Sequence, residues 1–508
     1  MKIAIVGAGV AGSSVLRTLI EESPETMIDR IDVFDYRKET SRGLPYQEDD
    51  PTLLLNISPD RISVYSDKSK DFVDWLKDKN LEDARQEGMV QRRHYGRYLH
   101  ERFESYFNHV KVHFQQSKVI DMLIFNDKEE PAYQDSDSEK FYRLKLEDES
   151  WTTFYDAVFF TIGHPPYADY YTLAEHPSFI RHPYPLSKKL GDIKNDQKLG
   201  VVGSGASSFD ILRYFKRHFD VDYALPLYIP TTPFTPTHIE VDEEPKRSCI
   251  NDEWIEENRH PETGRILLAD IWEQVKYDLT EYGVDWSSVL AQFSTGDLSE
   301  SIRQYYNRPR GLGVIQEYLS SLSQHLADLY NALSMKDRQD YDTFYRPQVE
   351  HFRHSIPHET MGRVIDSLKK DELRIVPGLS DIQWDETNQV FDIYIDGRYH
   401  ESCDILVNGT GFEFRLKQAG EFNLLIHNLY QKGYIIPADN ESRQGVAVTW
   451  PECQLINRKF GQLDHVYLMG LFIHLTQYGN NNARLNMAQG RRSAKHLIDR
   501  YQTHYSVH

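Results

Sequence analysis

The chain opens Met1-Lys-Ile-Ala-Ile-Val-Gly-Ala-Gly-Val-Ala-Gly12, an apolar strand running straight into three glycines. Few beginnings constrain a fold more. Gly7 lets the chain leave the Ile3–Val6 strand in a tight turn, Gly9 admits a pyrophosphate against the backbone, and Gly12 lets the following helix pack close to the sheet. The N-terminus of that helix then faces the phosphates. A second strand, Arg30 to Phe34, ends in Asp35, at the spacing where a carboxylate meets a ribose 2′-hydroxyl. Strand, loop, helix and acid in this order imply a dinucleotide-binding α/β domain; a ligand-free glycine turn would need all four by coincidence.

At 508 residues the chain exceeds one core and implies two or three domains. Its 58 Lys and Arg against 78 Asp and Glu leave a net charge of −20, which argues against nucleic acid or an anionic membrane surface as partner. Cys249, Cys403 and Cys453 lie far apart with no CxxC pair, so no disulfide framework, structural zinc or dithiol centre is expected, and a reduced, cytoplasmic setting fits. No apolar run reaches membrane-spanning length.

Further along, the polar segment Asp127–Lys140 separates apolar runs at Val119–Phe125 and Phe141–Leu146 and reads as a hairpin tip. After a break at Leu190–Gln197 the opening pattern restarts: strand Leu199–Val202, loop Gly203-Ser-Gly-Ala-Ser-Ser208, helix Phe209–Phe219. Gly203 and Gly205 keep the two phosphate roles, while Ser208 replaces the glycine of closest packing. This second loop is a nucleotide site or a purely structural turn. From Asn251 to Lys370 the period is helical, with Leu312, Ile315, Leu319, Leu322, Leu326 and Leu329 forming one apolar stripe, read as core. Strands are expected again at Leu373–Val376, Phe391–Ile395, Asp404–Val407 and Val466–Gly470, and a helix at Arg484–Tyr501.

Two apolar strands feed small-residue turns, Ala157-Val-Phe-Phe-Thr-Ile-Gly-His164 and Ile405-Leu-Val-Asn-Gly-Thr-Gly411, each following one glycine loop. With these stand Gly43-Leu-Pro-Tyr46, Pro51-Thr-Leu-Leu-Leu-Asn56, Asp60-Arg-Ile-Ser63, Arg92-Arg-His-Tyr-Gly-Arg-Tyr-Leu99, Arg346-Pro347 and His351-Phe-Arg-His-Ser-Ile-Pro357. On these residues the chain resembles the FAD/NAD(P)-binding family that includes the bacterial flavin-dependent urate hydroxylases and the nitrosuccinate-forming aspartate N-monooxygenases. It is more distantly similar to ornithine and lysine N-hydroxylases. The likeness is strongest over residues 1–165 and weakest over 225–340.

That resemblance implies two Rossmann-like domains in a three-layer α/β fold, an FAD domain interrupted by an NAD(P)-binding-like domain. The expected boundaries are 1–190 and 401–508 for the first and 196–400 for the second, with a helical insertion at about 251–370. It implies FAD with Gly7, Gly9, Ala11, Gly12, Asp35, Asn56, Val119, Thr161, Gly163, Gly411, Gly470 and Asn481 on the cofactor side. Gly203, Gly205 and Ser208 are expected to take NADH or NADPH. The absence of any Lys or Arg from Leu227 to Pro233 favours NADH, or a site that no longer binds either.

Asn56 is expected near the flavin, where an amide both donates and accepts hydrogen bonds, or else as a turn asparagine. Arg92, Arg93 and Arg97 are candidates for an anionic substrate or cofactor phosphate, with one of the three expected to be functional; Arg92 and Arg97, with Asn56, are the catalytic candidates. Asn480, Asn481 and Asn482 precede the last helix and either face the flavin or simply cap the helix. His351, His354 and His358 are broken up by Pro357, so no metal is expected. Three functions remain open: an NAD(P)H-dependent monooxygenase acting on a small polar nitrogen-containing substrate through a flavin C4a-hydroperoxide, a plain flavin oxidoreductase, and a non-catalytic flavin-binding regulatory protein.

Overall fold

The computed structural model describes residues 1–65, 67–81, 85–86, 89–126, 130–132, 139–230, 234–241, 247–293, 296–439, 444–479 and 482–505. The chain forms two compact units, Met1–Pro166 with Phe412–His508, and Tyr167–Gly411.

The first unit is built on a six-stranded sheet in the order Gln454–Asn457, Gly461–Leu468, Ala157–Phe160, Lys2–Val6, Arg30–Asp35, Val112–Gln116. All neighbours are parallel except the Gln454–Asn457 edge. A parallel strand covered on both faces reads as a continuous apolar run, which is why Ile3, Ala4 and Ile5, like Ala157 to Phe160, are fully buried. The chain lays strands outward from Lys2–Val6 to Val112–Gln116, then crosses to the other side of its first strand. The order therefore reverses between Lys2–Val6 and Ala157–Phe160, and ligands of open α/β sheets bind at the carboxyl ends of strands where this happens.

Helix Val10–Glu22 packs along helix Ala483–Tyr505. A Cβ on Gly490 would stand 2.7 Å from the Ala11 carbonyl oxygen, and Ser14 Oγ donates to the Met487 carbonyl at 2.7 Å, so the helix after the glycine loop is seated closely on the last helix. Val119–Phe125 and Phe141–Leu146 pair antiparallel as expected of a hairpin, with Val119 opposite Leu146; residues 127–129 and 133–138 of its expected tip lie outside the described residues.

The second unit carries a parallel sheet in the order Leu373–Pro377, Leu225–Ile229, Leu199–Val202, Ile405–Asn408, Phe179–Ile180. Its order reverses between Leu199–Val202 and Ile405–Asn408, a second switch point. The boundaries at 166/167 and 411/412 differ from those expected near 190 and 400 because Phe179–Ile180 and Ile405–Asn408 pair with each other in this sheet. An antiparallel sheet of Leu379–Asp385, Val390–Ile395 and Arg398–Cys403 packs beside it through Ile382, Phe391, Ile393 and Leu406.

Helices occupy residues 252–369 between the Leu225–Ile229 and Leu373–Pro377 strands. Asn251, Asp285, Asp297 and Ser334 cap four of them, each accepting a backbone N–H three residues on. The leucine stripe is buried throughout, as its spacing predicts, but belongs to two helices, Arg310–Leu322 and Leu326–Ala332, rather than one.

Candidate functional site

The first switch point is shaped by glycines. Gly7 has φ +109°, and a Cβ there would lie 2.3 Å from the Thr161 carbonyl; a Cβ on Gly12 would lie 2.0 Å from the Gly7 carbonyl. Neither position admits a side chain. Gly9 differs: a Cβ there meets only Gly43, at 3.5 Å from its Cα, an ordinary contact that leaves room for a side chain. Thr161 Oγ1 reaches across from the neighbouring strand and donates to the Gly7 carbonyl at 2.6 Å.

Segment Ser41–Gly43 lies against this loop. Ser41 N–H donates to the Ala8 carbonyl, and the Ser13 and Ser41 hydroxyls meet at 3.1 Å. Asp35, buried at the end of its strand, accepts from the Ala8 N–H at 2.9 Å through Oδ2 and from the Arg37 N–H at 2.9 Å through Oδ1; the Arg37 guanidinium adds contacts to both oxygens at 3.2 Å. The acid is thus tied to the glycine loop through Ala8, with Arg37 as its companion. Sequence reasoning named Asp35 but missed Arg37, two residues on, which also lies over the Tyr36 ring.

Gly163 and Gly470 complete the rim. Gly470 has φ +103°, a Cβ on it would stand 2.7 Å from the Gly163 carbonyl, and the Leu471 N–H donates to that carbonyl at 3.0 Å. Asn482 Oδ1 accepts from the Leu485 N–H at 2.9 Å, capping the final helix; Asn480 and Asn481 lie outside the described residues.

Asn56 is exposed, at the end of the buried run Leu53–Leu55. Arg92 braces that run: its N–H donates to the Leu53 carbonyl at 2.9 Å and its Nε to the Leu54 carbonyl at 2.8 Å. Helix Arg92–Phe107 also packs on the Gly43–Tyr46 segment, since a Cβ on Gly96 would lie 1.9 Å from the Tyr46 carbonyl. Burial pushes the Tyr46 phenol up to about 12 against the opposing pull of Arg92, which keeps it a neutral hydroxyl.

The three arginines separate. Arg97 makes two bonds to Glu48, at 2.9 and 3.1 Å, and Arg93 Nε donates to the Gln91 side chain at 2.8 Å. Burial alone would raise Glu48, but Arg97 and Arg42 hold it below the usual carboxylate range. His94, buried on the same turn, is lowered first by burial and then by Arg93 and Arg97, so it is neutral near pH 7. Of the arginine candidates, Arg92 is the one joined to the Asn56 run.

In the second unit, Gly203 has φ +108° and a Cβ on it would lie 2.6 Å from the Gly409 carbonyl across the switch point. Gly205 is the N-cap of helix Ala206–His218, whose last turn carries Lys216, Arg217 and His218, of favourable sign for the helix dipole. Ser208 is fully buried and Gly411 has φ +98°. Strand Leu225–Ile229 leads toward residues 231–233, which lie outside the described residues. His351 points at the Phe293 carbonyl, while His358 stacks on Tyr305 at 4.2 Å; among the described residues no group of His, Cys, Asp and Glu is placed to hold a metal ion.

Residues 4–165 match the model of a family described as FAD-NAD(P)-binding. By sequence, no curated protein matches the chain. Among solved structures, the chain resembles ornithine hydroxylase PvdA from Pseudomonas aeruginosa, with TM-score 0.58, 12% identity, and coverage of 98% of this chain and 99% of that one. It resembles the FAD-bound cadaverine monooxygenase DfoA of the desferrioxamine biosynthetic pathway from Erwinia amylovora, with TM-score 0.57, 12% identity and coverage of 97% and 94%. Ornithine N-hydroxylase KtzI from Kutzneria sp. 744, in a complex with reduced FAD, NADP+ and L-ornithine, gives TM-score 0.56, 14% identity and coverage of 98% and 99%. The fold is that of the FAD/NAD(P)-binding flavoproteins.

Proposed function

We propose that the chain is an FAD-dependent monooxygenase that draws electrons from NADH or NADPH and hydroxylates a small polar nitrogen-containing substrate. The observation that carries this reading is the repetition of one device: each unit has its own glycine loop at its own switch point. A protein binding a single dinucleotide needs one. The similar structures are of a cadaverine monooxygenase and ornithine hydroxylases, which supports oxygen transfer to an amine or amino acid.

The first site fits FAD in shape and donor set. Gly7, Gly9, Ala11 and Gly12 would seat the pyrophosphate at the helix N-terminus, under Ser41–Gly43, and Asp35 would take the adenosine ribose. Val119, Thr161, Gly163 and Gly470 would give backbone close approach. Gly203, Gly205 and Ser208 would hold the nicotinamide dinucleotide. Bound FAD supplies the electron transfer and the activation of oxygen. The chain's own tasks are to bind, orient and exclude water, with the Asn56 amide offering both donor and acceptor and Arg92 holding the run that presents it.

The test is Asn56→Ala. It should keep FAD and be reduced by nicotinamide at the wild-type rate, while releasing more hydrogen peroxide per NAD(P)H consumed. Asn56 is exposed in the chain alone, so its hydrogen bond gains strength only once bound cofactor and substrate cover it; lost from such a covered site it costs about 2 to 4 kcal/mol in a transition state, enough to divert most turnovers. Unchanged coupling in a folded, FAD-loaded Asn56→Ala protein contradicts this role.

A further inference from the structure

The two glycine loops differ at their third position, and the opposite strand answers the difference. Both begin alike: the Gly7 N–H donates to the Phe34 carbonyl at 2.7 Å and the Gly203 N–H to the Tyr228 carbonyl at 2.8 Å. In both, the carbonyl of that first glycine accepts a hydroxyl. For Gly7 the donor is Thr161 Oγ1, from the strand across the switch point, at 2.6 Å. For Gly203 it is Ser208 Oγ, from the loop's own helix, at 2.8 Å.

The position facing each hydroxyl is glycine. A Cβ on Gly12 would lie 2.8 Å from Thr161 Oγ1, and a Cβ on Gly409 would lie 2.4 Å from Ser208 Oγ. Gly409 follows Asn408 as Thr161 follows Phe160, the strand residues paired with Val202 and Val6 respectively. Hydroxyl and glycine have therefore exchanged sides. Ser208 is not a worn-out third glycine but one half of a compensated pair.

We propose that Ser208 is a positioning residue of an intact pyrophosphate-binding loop, and that Gly409 is glycine in order to admit its hydroxyl. This rests on the reading that the second unit binds a nicotinamide dinucleotide. A carbonyl left without a donor beside a pyrophosphate would repel it; the Ser208 hydroxyl satisfies that oxygen and holds the loop so that the amides at the helix N-terminus face the phosphate.

The experiment uses the full-length, FAD-loaded protein and reads NADH and NADPH affinity by titration, with amide hydrogen exchange across residues 203–209. Ser208→Ala should weaken nicotinamide dinucleotide binding about tenfold, the usual effect of stranding one buried acceptor, and raise exchange in the loop. Gly409→Ala should weaken it further, by driving a methyl group into Ser208 Oγ. Ser208→Gly combined with Gly409→Thr rebuilds the first loop's arrangement and requires the Val202 backbone carbonyl, 2.9 Å from the new Cβ, to shift. It should bind more tightly than Ser208→Gly alone, and FAD content should be unchanged in every variant. Wild-type affinity in Ser208→Ala, or a double variant no better than Ser208→Gly, overturns the proposal. If the wild type binds neither dinucleotide, the nicotinamide reading itself fails and the ligand role falls with it, while loop exchange raised by Ser208→Ala and restored in the double variant still identifies the hydroxyl pair as purely structural.

Discussion

Gly9 and Gly12 stand three residues apart in one loop and answer to different demands. Gly12 has no room for a Cβ, whereas Gly9 has room, a Cβ there meeting only Gly43, and on the proposed reading it is the position that admits the pyrophosphate. Gly9→Val should therefore yield a folded protein that has lost most of its FAD, and Gly12→Ala a protein with a damaged first unit. Absorbance of bound flavin set against circular dichroism separates the two; a fully loaded Gly9→Val protein contradicts the placement of FAD. In the second loop the position of Asp35 is taken by Ile229, because Tyr228 receives the Gly203 N–H as Phe34 receives that of Gly7. That strand end offers neither a carboxylate to the 2′-hydroxyl nor a cation to a 2′-phosphate, so NADH should reduce the flavin at least as well as NADPH. A charge-assisted contact is worth about tenfold or more, so stopped-flow reduction favouring NADPH by more than roughly tenfold would reveal a cation from elsewhere. His182 gives a pH signature. Burial, then Arg181 and Lys189, press it to about 4, below its ordinary 6.5. Unfolded chain takes up this proton first as pH falls, so the contribution is flat above pH 6.5 and stability is lost between about 6.5 and 4. His182→Gln should flatten part of that fall in the denaturant midpoint; an unchanged slope shows the ring is not the cause.

The helical elements between strands Leu225–Ile229 and Leu373–Pro377 show how a motif can be structural despite its charge. Pro347 lacks an N–H, and the chain before it runs as a π turn over Tyr341–Tyr345, with the Arg346 N–H donating to the Tyr341 carbonyl five residues back. Arg346 itself is buried, bonded to Asp342 at 2.6 Å, near Glu350 at 3.5 Å, and stacked over Tyr330 at 4.9 Å. Its charge is engaged in packing these helices. Arg346→Ala should destabilise the protein by about 1 to 3 kcal/mol, since it removes a buried guanidinium from the Tyr330 ring and from the partly exposed Asp342 and Glu350, and leave FAD content per folded molecule unchanged. Thermal unfolding checks the first and flavin absorbance the second; flavin loss without destabilisation would place the guanidinium at a ligand instead. Elements of this kind mark what the sequence made legible. Strands such as Leu199–Val202, Leu373–Pro377 and Ile405–Asn408 were visible because apolar runs beside glycine turns have few other uses. Strand Val112–Gln116 was not, because as an edge strand it mixes Val and Phe with His and Gln. The split of the leucine stripe at Ser323–His325 was hidden because the heptad-like spacing continues through it. At the site, glycines announced themselves by spacing, while the Thr161 hydroxyl and Gly409 depend on contacts between segments distant in sequence, and Arg37, though only two residues from Asp35, belongs to no spacing motif.

At the scale of the molecule, the chain between Pro166 and Phe412 is a complete second unit set into the first, so that Gly461–Leu468, laid down after it, rejoins the sheet begun by Lys2–Val6. Among the described residues no helix is long and apolar enough to cross a membrane. The two units repeat one architecture, a parallel sheet with a glycine loop at its point of reversal, and that repetition is the physical basis for assigning two dinucleotides to one chain. The most direct measurement follows NAD(P)H oxidation, oxygen uptake, hydrogen peroxide and hydroxylated product together in the FAD-loaded protein, across a panel of diamines, amino acids and purines. The account predicts that one nitrogen-containing compound accelerates NAD(P)H oxidation and is hydroxylated with little peroxide. Reduction of the flavin that no compound accelerates and that ends wholly in peroxide, or no reduction by either nicotinamide, would contradict it.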